Sequence, residues 1–450
     1  MPTVSKRSPR IRFEFVPARK QSTLGGLPAL EALAQQFDLR KKIRPLPGLD
    51  PRTRTSHGYS PEWIVAQLLY CFCSGGASLA DAGRLNDEPL VRQLARVGKF
   101  ADQTQLGQWL RHQSDASLAA LWQLIAEFVQ WVIARAEPAR WTCAGRAEVF
   151  FDDTQIEVFG PSFDGAKINY EGHLALSWQT MWLGPFLVGG QLGSPGDVSG
   201  ALPQMLQTHR PLWRDMACDF LADSGSSSSE QLQAIDQAGF THWSVSYNKW
   251  TAVPERTAAA LPQSAWSPAT ETRWRNGVAV TEHHAGIRHT VAGSDFTMTL
   301  AVARWKKDDE LFWRYAFVAH DGRRADAAAV MARHRLKDGK EQLFKEVLRG
   351  LDLHHPPCES LVANRMFYAI AALACNLMKA VQLLCLPDQC QRWTVPTLLR
   401  QMVRLPATLV RHAWRLVARV EVSVSWLEWW GRWEARWWRA GAAESAGPSG

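Results

Sequence analysis

Several features that would place the chain in a common class are missing from its 450 residues. None of the eight cysteines forms a C-x-x-C pair, so the spacing of a zinc finger is absent. The sequence has no G-x-x-x-x-G-K-[S/T] stretch, which argues against a P-loop ATPase, and no repeat at solenoid spacing. The basic first 19 residues lack the apolar core of a signal peptide, so we expect a cytoplasmic protein with reduced cysteines.

The composition indicates a globular protein and is compatible with negatively charged partners. The net charge is +8 and the isoelectric point is about 9.1. A basic balance of this kind permits a polyanionic partner such as a nucleic acid, although it does not require one. With 46% hydrophobic residues the chain can bury a large core, and its length predicts two or three modules.

Residues 1–140 are predicted to form a helical module behind a basic arm. Apolar residues recur three or four apart in segments between residues 27 and 136, and Gly, Pro or Asp separates the segments. The stretch Asp102 to Gln113 has the pattern of the second helix of a helix-turn-helix, with Gln108, Arg111 and His112 facing a DNA groove. A helical hairpin that makes dimer contacts gives the same pattern, so the module is predicted to bind DNA or to dimerise.

From residue 141 the pattern changes to strands that alternate with helices. Three strands, a helix, a strand, a helix and a strand follow one another up to Tyr247, which predicts an α/β fold with a mixed sheet flanked by helices. A long helix is predicted from Ala325 to Leu348. We expect a core in two parts, 141–249 and 310–385, around a β-rich insertion, 250–309, with a basic, Trp-rich region at 386–450.

Two apolar segments raise the question of a membrane. Met366 to Leu386 is long enough to cross a bilayer. Its polar residues Asn376, Lys379 and Gln382 would be costly in hydrocarbon, so we predict a buried core helix and no membrane contact. The tryptophans from Trp426 to Trp438 are compatible with an amphipathic helix, with packing on the N-terminal module, or with a poorly folded end.

Three carboxylates lie at points where they are able to meet. Asp152 follows a predicted strand within FFDDT, Asp223 ends the strand in ACDFLADSG, and Glu341 lies in the predicted long helix. Phosphodiester chemistry on DNA uses two divalent cations about 4 Å apart, and Mg²⁺ prefers carboxylate oxygens. Each residue also has an ordinary interpretation: Asp152 in solvent beside Asp153, Asp223 in an Asx turn, and Glu341 on a solvated helix face.

The blocks DDTQIEVFG (from Asp152), NYEGH (from Asn169) and LADSG (from Leu221) resemble those of the DDE transposases of bacterial insertion sequences. The nearest likeness is to the insertion-sequence thirteen-eighty family. The resemblance spans residues 23 to 384 and implies a ribonuclease-H-like core with a β-rich insertion. It makes Asp152 the first acid, with Asp153 as the alternative, and Asp223 the second.

The third block follows the family less closely. The family pattern has tyrosine, arginine, glutamate and lysine at fixed offsets, where this chain has His334, Lys337, Glu341 and Leu348, with Lys345 nearby. By this resemblance Glu341 is the third acid, and Asp152, Asp223 and Glu341 would hold two Mg²⁺ ions, for which Mn²⁺ can substitute. The departures put the activity of this copy, though not its ancestry, in question.

The resemblance also suggests how DNA is held. His334, Lys337 and Lys345 would lie near the cut phosphate, and Lys249, Arg273 and Arg275 of the insertion would contact transposon-end phosphates. Insertion tryptophans are candidates for base stacking or for packing in a small β core. The expected function is cut-and-paste transposition by a nucleoid-associated homodimer on terminal repeats. The alternatives are a ribonuclease-H-like nuclease that does not join strands and an inactive DNA-binding derivative.

Overall fold

A computed structural model describes residues 20–54, 58–196, 200–248, 251–267, 272–275, 278–307, 310–324, 326–412, 415–424 and 427. Within these ranges, helices and a large mixed sheet share one extensive hydrophobic core. The core runs from the N-terminal helices through the sheet to the helices that follow it.

The N-terminal part is helical, as the 3.6-residue periodicity predicts. After the short strand β1 (Gln21–Ser22), the elements are α1 (Leu27–Gln36), α2 (Leu39–Ile43), α3 (Pro61–Cys73), α4 (Leu79–Arg84), α5 (Pro89–Ala95), α6 (Gln103–Arg111) and α7 (Asp115–Ile133). Local chemistry sets where they begin. Proline occupies the first turn of α3 and α5, where no backbone donor is needed, and Ser78, Asp102 and Ser114 form capping boxes on α4, α6 and α7.

The central sheet contains both parallel and antiparallel strands. Its first half comprises β2 (Ala147–Glu157), β3 (Lys167–Ile168), β4 (Leu174–Leu183), β5 (Phe186–Gly193), β6 (Cys218–Ala222) and β7 (His242–Ser246). β2 is antiparallel to β4, and β4 to β5, whereas β6 runs parallel to both β2 and β7. This antiparallel meander followed by parallel strands is the ribonuclease-H-like arrangement that the sequence predicted.

The stretch expected to be a β-rich insertion begins with a helix. After α8 (Ala201–His209) and α9 (Ser229–Gln237), α10 spans Ala252–Ala259, and the strands β8 (Thr272–Arg275), β9 (Val278–Thr281), β10 (His283–Thr290) and β11 (Thr297–Trp305) follow. β8 and β9 pair with each other. β10 and β11 extend the central sheet through β12 (Arg314–His320), which is antiparallel to β7. The sheet therefore runs β10-β11-β12-β7-β6-β2-β4-β3, with β5 also paired to β4.

The long helix predicted from Ala325 to Leu348 is wrong as a single element. The described chain forms α11 (Ala327–Arg335), a 3₁₀ segment (Leu336–Lys340) and α12 (Glu341–Gly350). Asp338 and Gly339 explain the interruption, because both residues favour an α-helix interior less than Ala or Leu do. Glu341 therefore begins a helix instead of lying inside one.

The apolar segment near residue 370 is a core helix. α13 (Leu361–Leu384) packs against β5 and the N-terminal helices α3 and α7. Both α7 and α13 are long and apolar enough to cross a membrane, but 94% of the apolar window of α13 is buried inside the protein, against 50% for α7. The polar Asn376 is satisfied there by the backbone of Leu187, with its amide oxygen accepting at 2.9 Å and its amide nitrogen donating at 2.8 Å.

The C-terminal part of the described chain returns to the N-terminus. α14 (Val395–Leu398) and a π-helical turn (Leu399–Val403) precede β13 (Ala407–His412) and β14 (Arg415–Val420), and β13 pairs with both β1 and β14. The approach is close, because a Cβ on Gly26 would lie 1.6 Å from the Met402 carbonyl oxygen. The Trp-rich segment from Trp426 to Trp438 lies outside the described residues except for Leu427.

Candidate active site

The end of a parallel strand pair brings Asp152 and Asp223 together. Phe151 of β2 lies opposite Ala222 of β6, so the next residue on each strand is an aspartate. Side chains at matching positions on neighbouring strands project from the same face of a sheet. Their carboxyl groups therefore meet where the parallel pairing ends, at the edge of the sheet where α/β proteins bind ligands.

The environment of Asp152 disfavours its charge. The pKa of Asp152 is raised from 3.8 to about 6, chiefly by burial and also by the neighbouring carboxylates of Asp223 and Asp153. A hydrogen bond from the Asp153 amide (2.9 Å) and the ammonium group of Lys337 oppose the rise in pKa. A carboxyl group in this position retains a proton near pH 6 unless a cation takes the place of that proton.

Asp223 combines a turn with a charge contact. It caps the 3₁₀ turn Ser224–Ser226 and accepts a hydrogen bond from the Ser224 amide at 3.0 Å, so the Asx-type role considered from the sequence is present. Its other oxygen lies 2.9 Å from Lys337 Nζ. Burial alone would raise the pKa of Asp223, but Lys337, the Ser224 amide and the Ser246 hydroxyl together lower it below 3.8. Asp223 is therefore ionised while Asp152 still holds its proton.

Asp153 is held by its neighbours in the sheet. The Ser177 hydroxyl donates to one carboxylate oxygen, and the Gln155 amide donates to the other at 3.2 Å. Burial raises the pKa of Asp153, and these two bonds limit the rise. Adjacent residues of a strand project to opposite faces, and it is Asp152, next after Phe151, that matches Asp223, next after Ala222. Asp152 is thus the better placed of the two to share a ligand with Asp223.

Glu341 is brought towards the same place by the backbone. It follows Lys337, which contacts Asp223, by four residues. Four residues of 3₁₀ or α-helix span about 6–8 Å, so the start of α12 lies one short segment away from that contact. The side chain of Glu341 lies outside the part of the chain that the structure describes, and the third carboxylate remains a prediction.

An open cleft of about 750 Å³ surrounds the aspartates. Its lining includes Asp152, Asp153 and Asp223, the segment Ile168–Tyr170 and the serine-rich segment 224–228. The volume falls within the range of about 300–1,000 Å³ that is usual for ligand clefts. The acidic pair is therefore accessible to a substrate of nucleotide size.

A model of the family described as Transposase DDE domain group 1 matches residues 4–428. The chain belongs to this DDE transposase family. The match covers nearly the whole chain and extends beyond the 23–384 range of the motif resemblance at both ends. No curated protein matched the chain. Family membership implies DNA as the partner, divalent cations and nuclease or transesterase chemistry, whereas the insertion-sequence thirteen-eighty family remains a prediction.

The donor set of the transposase fits a hard divalent cation. Mg²⁺ favours carboxylate oxygens and keeps several waters, so two adjacent aspartates and one further acid suffice. Asp152 and Asp223 offer such oxygens side by side, and the mutual repulsion that raises the pKa of Asp152 is what a cation would relieve. Within the described ranges, one group of three potential metal ligands lies close together elsewhere. Glu157, Glu171 and His173 lie together but are exposed, and the His173–Glu157 contact at 2.8 Å accounts for much of that grouping.

The other residues of the third block differ in accessibility. His334 is only 6% exposed, and its ring faces Ser244 and Ser246 of β7 instead of solvent. This placement gives no support to a phosphate contact by His334 in the present conformation. Leu348 is buried on the inner side of α12, while Lys345 lies on the exposed side of the same helix.

The basic residues of the insertion lie in a separate region. Arg273 of β8 is one-third exposed, and its Nε is 3.6 Å from Glu282, a fully buried acid that also binds Arg335 of α11 at 2.6 Å. Lys249 and the side chain of Arg275 lie outside the described residues. Of the insertion tryptophans, Trp266 is buried beneath the Arg304 guanidinium at 3.9 Å, whereas Trp274 is 76% exposed. Packing therefore explains Trp266, and Trp274 remains a candidate for base stacking.

Two serines next to the acids were not predicted from the sequence. The Ser177 hydroxyl of β4 donates to Asp153, and Ser246 of β7 lies beside Asp223 and helps to lower its pKa. The alternating pattern Ser244-Val245-Ser246 was the available signal, because it places two hydroxyl groups on one face of a strand next to β6.

Proposed function

We propose that the protein catalyses metal-dependent DNA cleavage at insertion-sequence ends and transfer of the freed strand into target DNA. The observation that carries the proposal is that Asp152 and Asp223 directly follow the paired residues Phe151 and Ala222 and line an open cleft, in a chain of the DDE transposase family. Glu341 is the proposed third ligand, supported by its position four residues after Lys337.

The proposed reaction consists of two phosphoryl transfers. In the first, the oxygen of a water molecule attacks phosphorus at the element end, the bond from phosphorus to the 3′ oxygen breaks, and that oxygen takes up a proton to become a hydroxyl group. In the second, this 3′-hydroxyl attacks a target phosphodiester, so one P–O bond forms as another breaks. Bound Mg²⁺ ions would activate the attacking oxygen and stabilise the leaving oxygen.

The side chains have distinct roles in this scheme. Asp152 and Asp223 would hold the ions in the cleft. Lys337, which contacts Asp223, is proposed to leave it and bind a DNA phosphate when an ion binds. Lys345, Arg273, Arg275 and Lys249 are proposed as more distant phosphate contacts, whose strength should fall with salt. Because both element ends must be cut together, the reaction favours a homodimer on two duplexes.

A plasmid carrying the inverted repeats that flank the gene tests the proposal. Wild-type protein with Mg²⁺ or Mn²⁺ should nick or cut at the repeat ends and give products joined to a second plasmid, and Asp223→Asn should give neither. Cleavage without joining would establish the nuclease alternative. Equal cleavage by both proteins, or cleavage by neither, would exclude the proposed catalysis and leave the inactive DNA-binding derivative as the alternative.

A further inference from the structure

Three neighbouring parallel strands present polar side chains in one row. Ala222 of β6 lies opposite Phe151 of β2 on one side and Val245 of β7 on the other. The next residues along the three strands are Asp152, Asp223 and Ser246. The third strand thus adds a hydroxyl group beside the two carboxyl groups, on the same face of the sheet.

The Ser246 hydroxyl has two partners. It lies beside the Asp223 carboxyl group in this row, because Ala222 and Val245 are paired, and hydrogen bonding from it helps to lower the pKa of Asp223. Its oxygen lies 2.8 Å from Nε2 of His334. The other ring nitrogen of His334, Nδ1, lies 3.0 Å from the Ser244 hydroxyl. His334 therefore bridges two serines of one strand from its place near the end of α11.

The direction of each hydrogen bond follows from donor chemistry. A carboxylate only accepts, so when the Ser246 hydroxyl donates to the neighbouring Asp223, the Ser246 oxygen is left to accept from Nε2–H of His334. Burial lowers the pKa of His334 to about 4, so the ring is neutral and carries one proton. With that proton on Nε2, Nδ1 accepts from the Ser244 hydroxyl, and every polar atom of the bridge is satisfied.

We infer that His334 is a positioning residue of the active site: through Nε2–H it orients the Ser246 hydroxyl, which in turn fixes Asp223 for cation binding. This inference rests on the proposed function of Asp223 as a metal ligand. Hydrogen bonds to the non-coordinating parts of ligands tune metal affinity, and losing one typically weakens binding or activity about 10–100-fold. The burial of His334 is thus explained by a role behind the cleft instead of on DNA.

The test measures Mn²⁺ binding to the full-length protein without DNA, by calorimetry or by the paramagnetic resonance of free Mn²⁺. Ser246→Ala and His334→Leu should each raise the Mn²⁺ dissociation constant about 10-fold. If His334 acts through Ser246, the double variant should be no weaker than Ser246→Ala alone. Independent, multiplying effects of the two changes would overturn the inference.

Two amides at position 334 supply matched variants. Glutamine places its amide nitrogen near the Nε2 position and should restore the dissociation constant to within about 3-fold of wild type, whereas asparagine reaches only the Ser244 side and should not. His209, an equally buried histidine on α8, is the control for a merely structural loss, and His209→Gln should leave Mn²⁺ binding unchanged. Equal behaviour of His334→Gln and His334→Asn would contradict the proposed geometry.

Asp223→Asn separates this inference from the proposed function. If Asp223→Asn abolishes Mn²⁺ binding while His334→Leu changes it less than 2-fold, the positioning role is wrong and the proposed function stands. If Asp223→Asn itself leaves Mn²⁺ binding intact, the assignment of Asp223 as a ligand fails first, and the inference falls with it. Thermal unfolding of each variant confirms that the compared proteins are folded.

Discussion

The two ends of the β2–β6 strand pair each carry two acidic residues, and the two pairs differ in exposure and in their counter-ions. Glu148 of β2 lies opposite Asp219 of β6, and four residues later on each strand come Asp152 and Asp223, so both pairs project from the same face of the sheet. Glu148 and Asp219 are each only 2% exposed. Asp152 and Asp223 are partly exposed and line the open cleft.

The difference lies in the cations that the chain supplies. Arg333 contacts Glu148 at 2.6 Å and Asp219 at 3.3 Å, while Arg146 and Arg324 also bind Asp219. At the other end, Lys337 pairs with Asp223, and Asp152 keeps a raised pKa. One pair of acids is thus neutralised by built-in guanidinium groups, and the other is left with room for a cation from solution. Both arrangements depend on the segment from α11 to Lys337.

The largest predicted contrast is between Asp219→Asn and Asp223→Asn. Removing the Asp219 charge leaves three arginines with one buried acid fewer, and breaking a buried ion pair costs about 3–5 kcal/mol. Asp223 is half exposed, so its replacement should change the free energy of unfolding by less than about 1 kcal/mol. Urea denaturation of metal-free protein measures both values. Similar losses for the two variants would show that the ends of the strand pair do not differ in this way.

The second prediction concerns Asp152 and pH. Its folded-state pKa of about 6 lies above the ordinary 3.8, so its contribution to stability is complete below pH 3.8 and is lost as the pH rises through 6. Asp152→Asn removes that loss and should stabilise the metal-free protein by about 3 kcal/mol at pH 8 but by little at pH 4. Denaturation in EDTA at both pH values measures the difference. Glu148→Gln at the arginine-rich end is the matched control and should destabilise the protein at pH 8.

Much of the fold around the cleft, and the two aspartates in it, could be predicted from the sequence. The helical N-terminal segments, the mixed sheet and the buried helix near residue 370 follow from periodicity, because each element buries one face or all of its surface. Asp152 and Asp223 were recognised because each belongs to a short block that resembles the family. The neighbouring carboxyl groups then follow from the parallel register of β2 and β6.

Other features depend on contacts between distant parts of the chain. Nothing near Asp219 shows that Arg146, Arg324 and Arg333 converge on it, since the nearest of these lies 73 residues away. The break at Leu336–Lys340 was overlooked because the apolar pattern continues across Gly339. The return of β13 to β1 joins the two termini of the described chain through backbone bonds, which side-chain patterns do not reveal.

The third prediction separates the two adjacent aspartates in the DDT block. Asp152→Asn should lower DNA cleavage about 10³-fold, since a metal ligand supplies several kcal/mol of transition-state stabilisation. Asp153→Asn keeps acceptor and donor groups for Ser177 and Gln155, so its effect should stay within about 10-fold. Cleavage of end-labelled repeat DNA under single-turnover conditions measures both. The reverse order would make Asp153 the first acid.

The smallest expected effect on stability is that of Lys337→Gln, the counterpart of the buried Arg333→Gln. The Lys337–Asp223 pair joins a largely buried ammonium group to a half-exposed carboxylate, so losing it should cost only about 0.5–1 kcal/mol, whereas Arg333→Gln should cost about 3–5 kcal/mol.

The effect of Lys337→Gln should appear instead in cation binding. Without Lys337, Asp223 loses the ammonium group that competes with a metal ion for its carboxylate, so the variant should bind Mn²⁺ more tightly. DNA cleavage should nevertheless weaken, because the proposed contact of Lys337 with a DNA phosphate is also lost. Tighter Mn²⁺ binding together with slower cleavage would show that Lys337 is a replaceable counter-ion, unlike the arginines at the other end. Weaker Mn²⁺ binding would mean that Lys337 organises the site in the same fixed manner as Arg333.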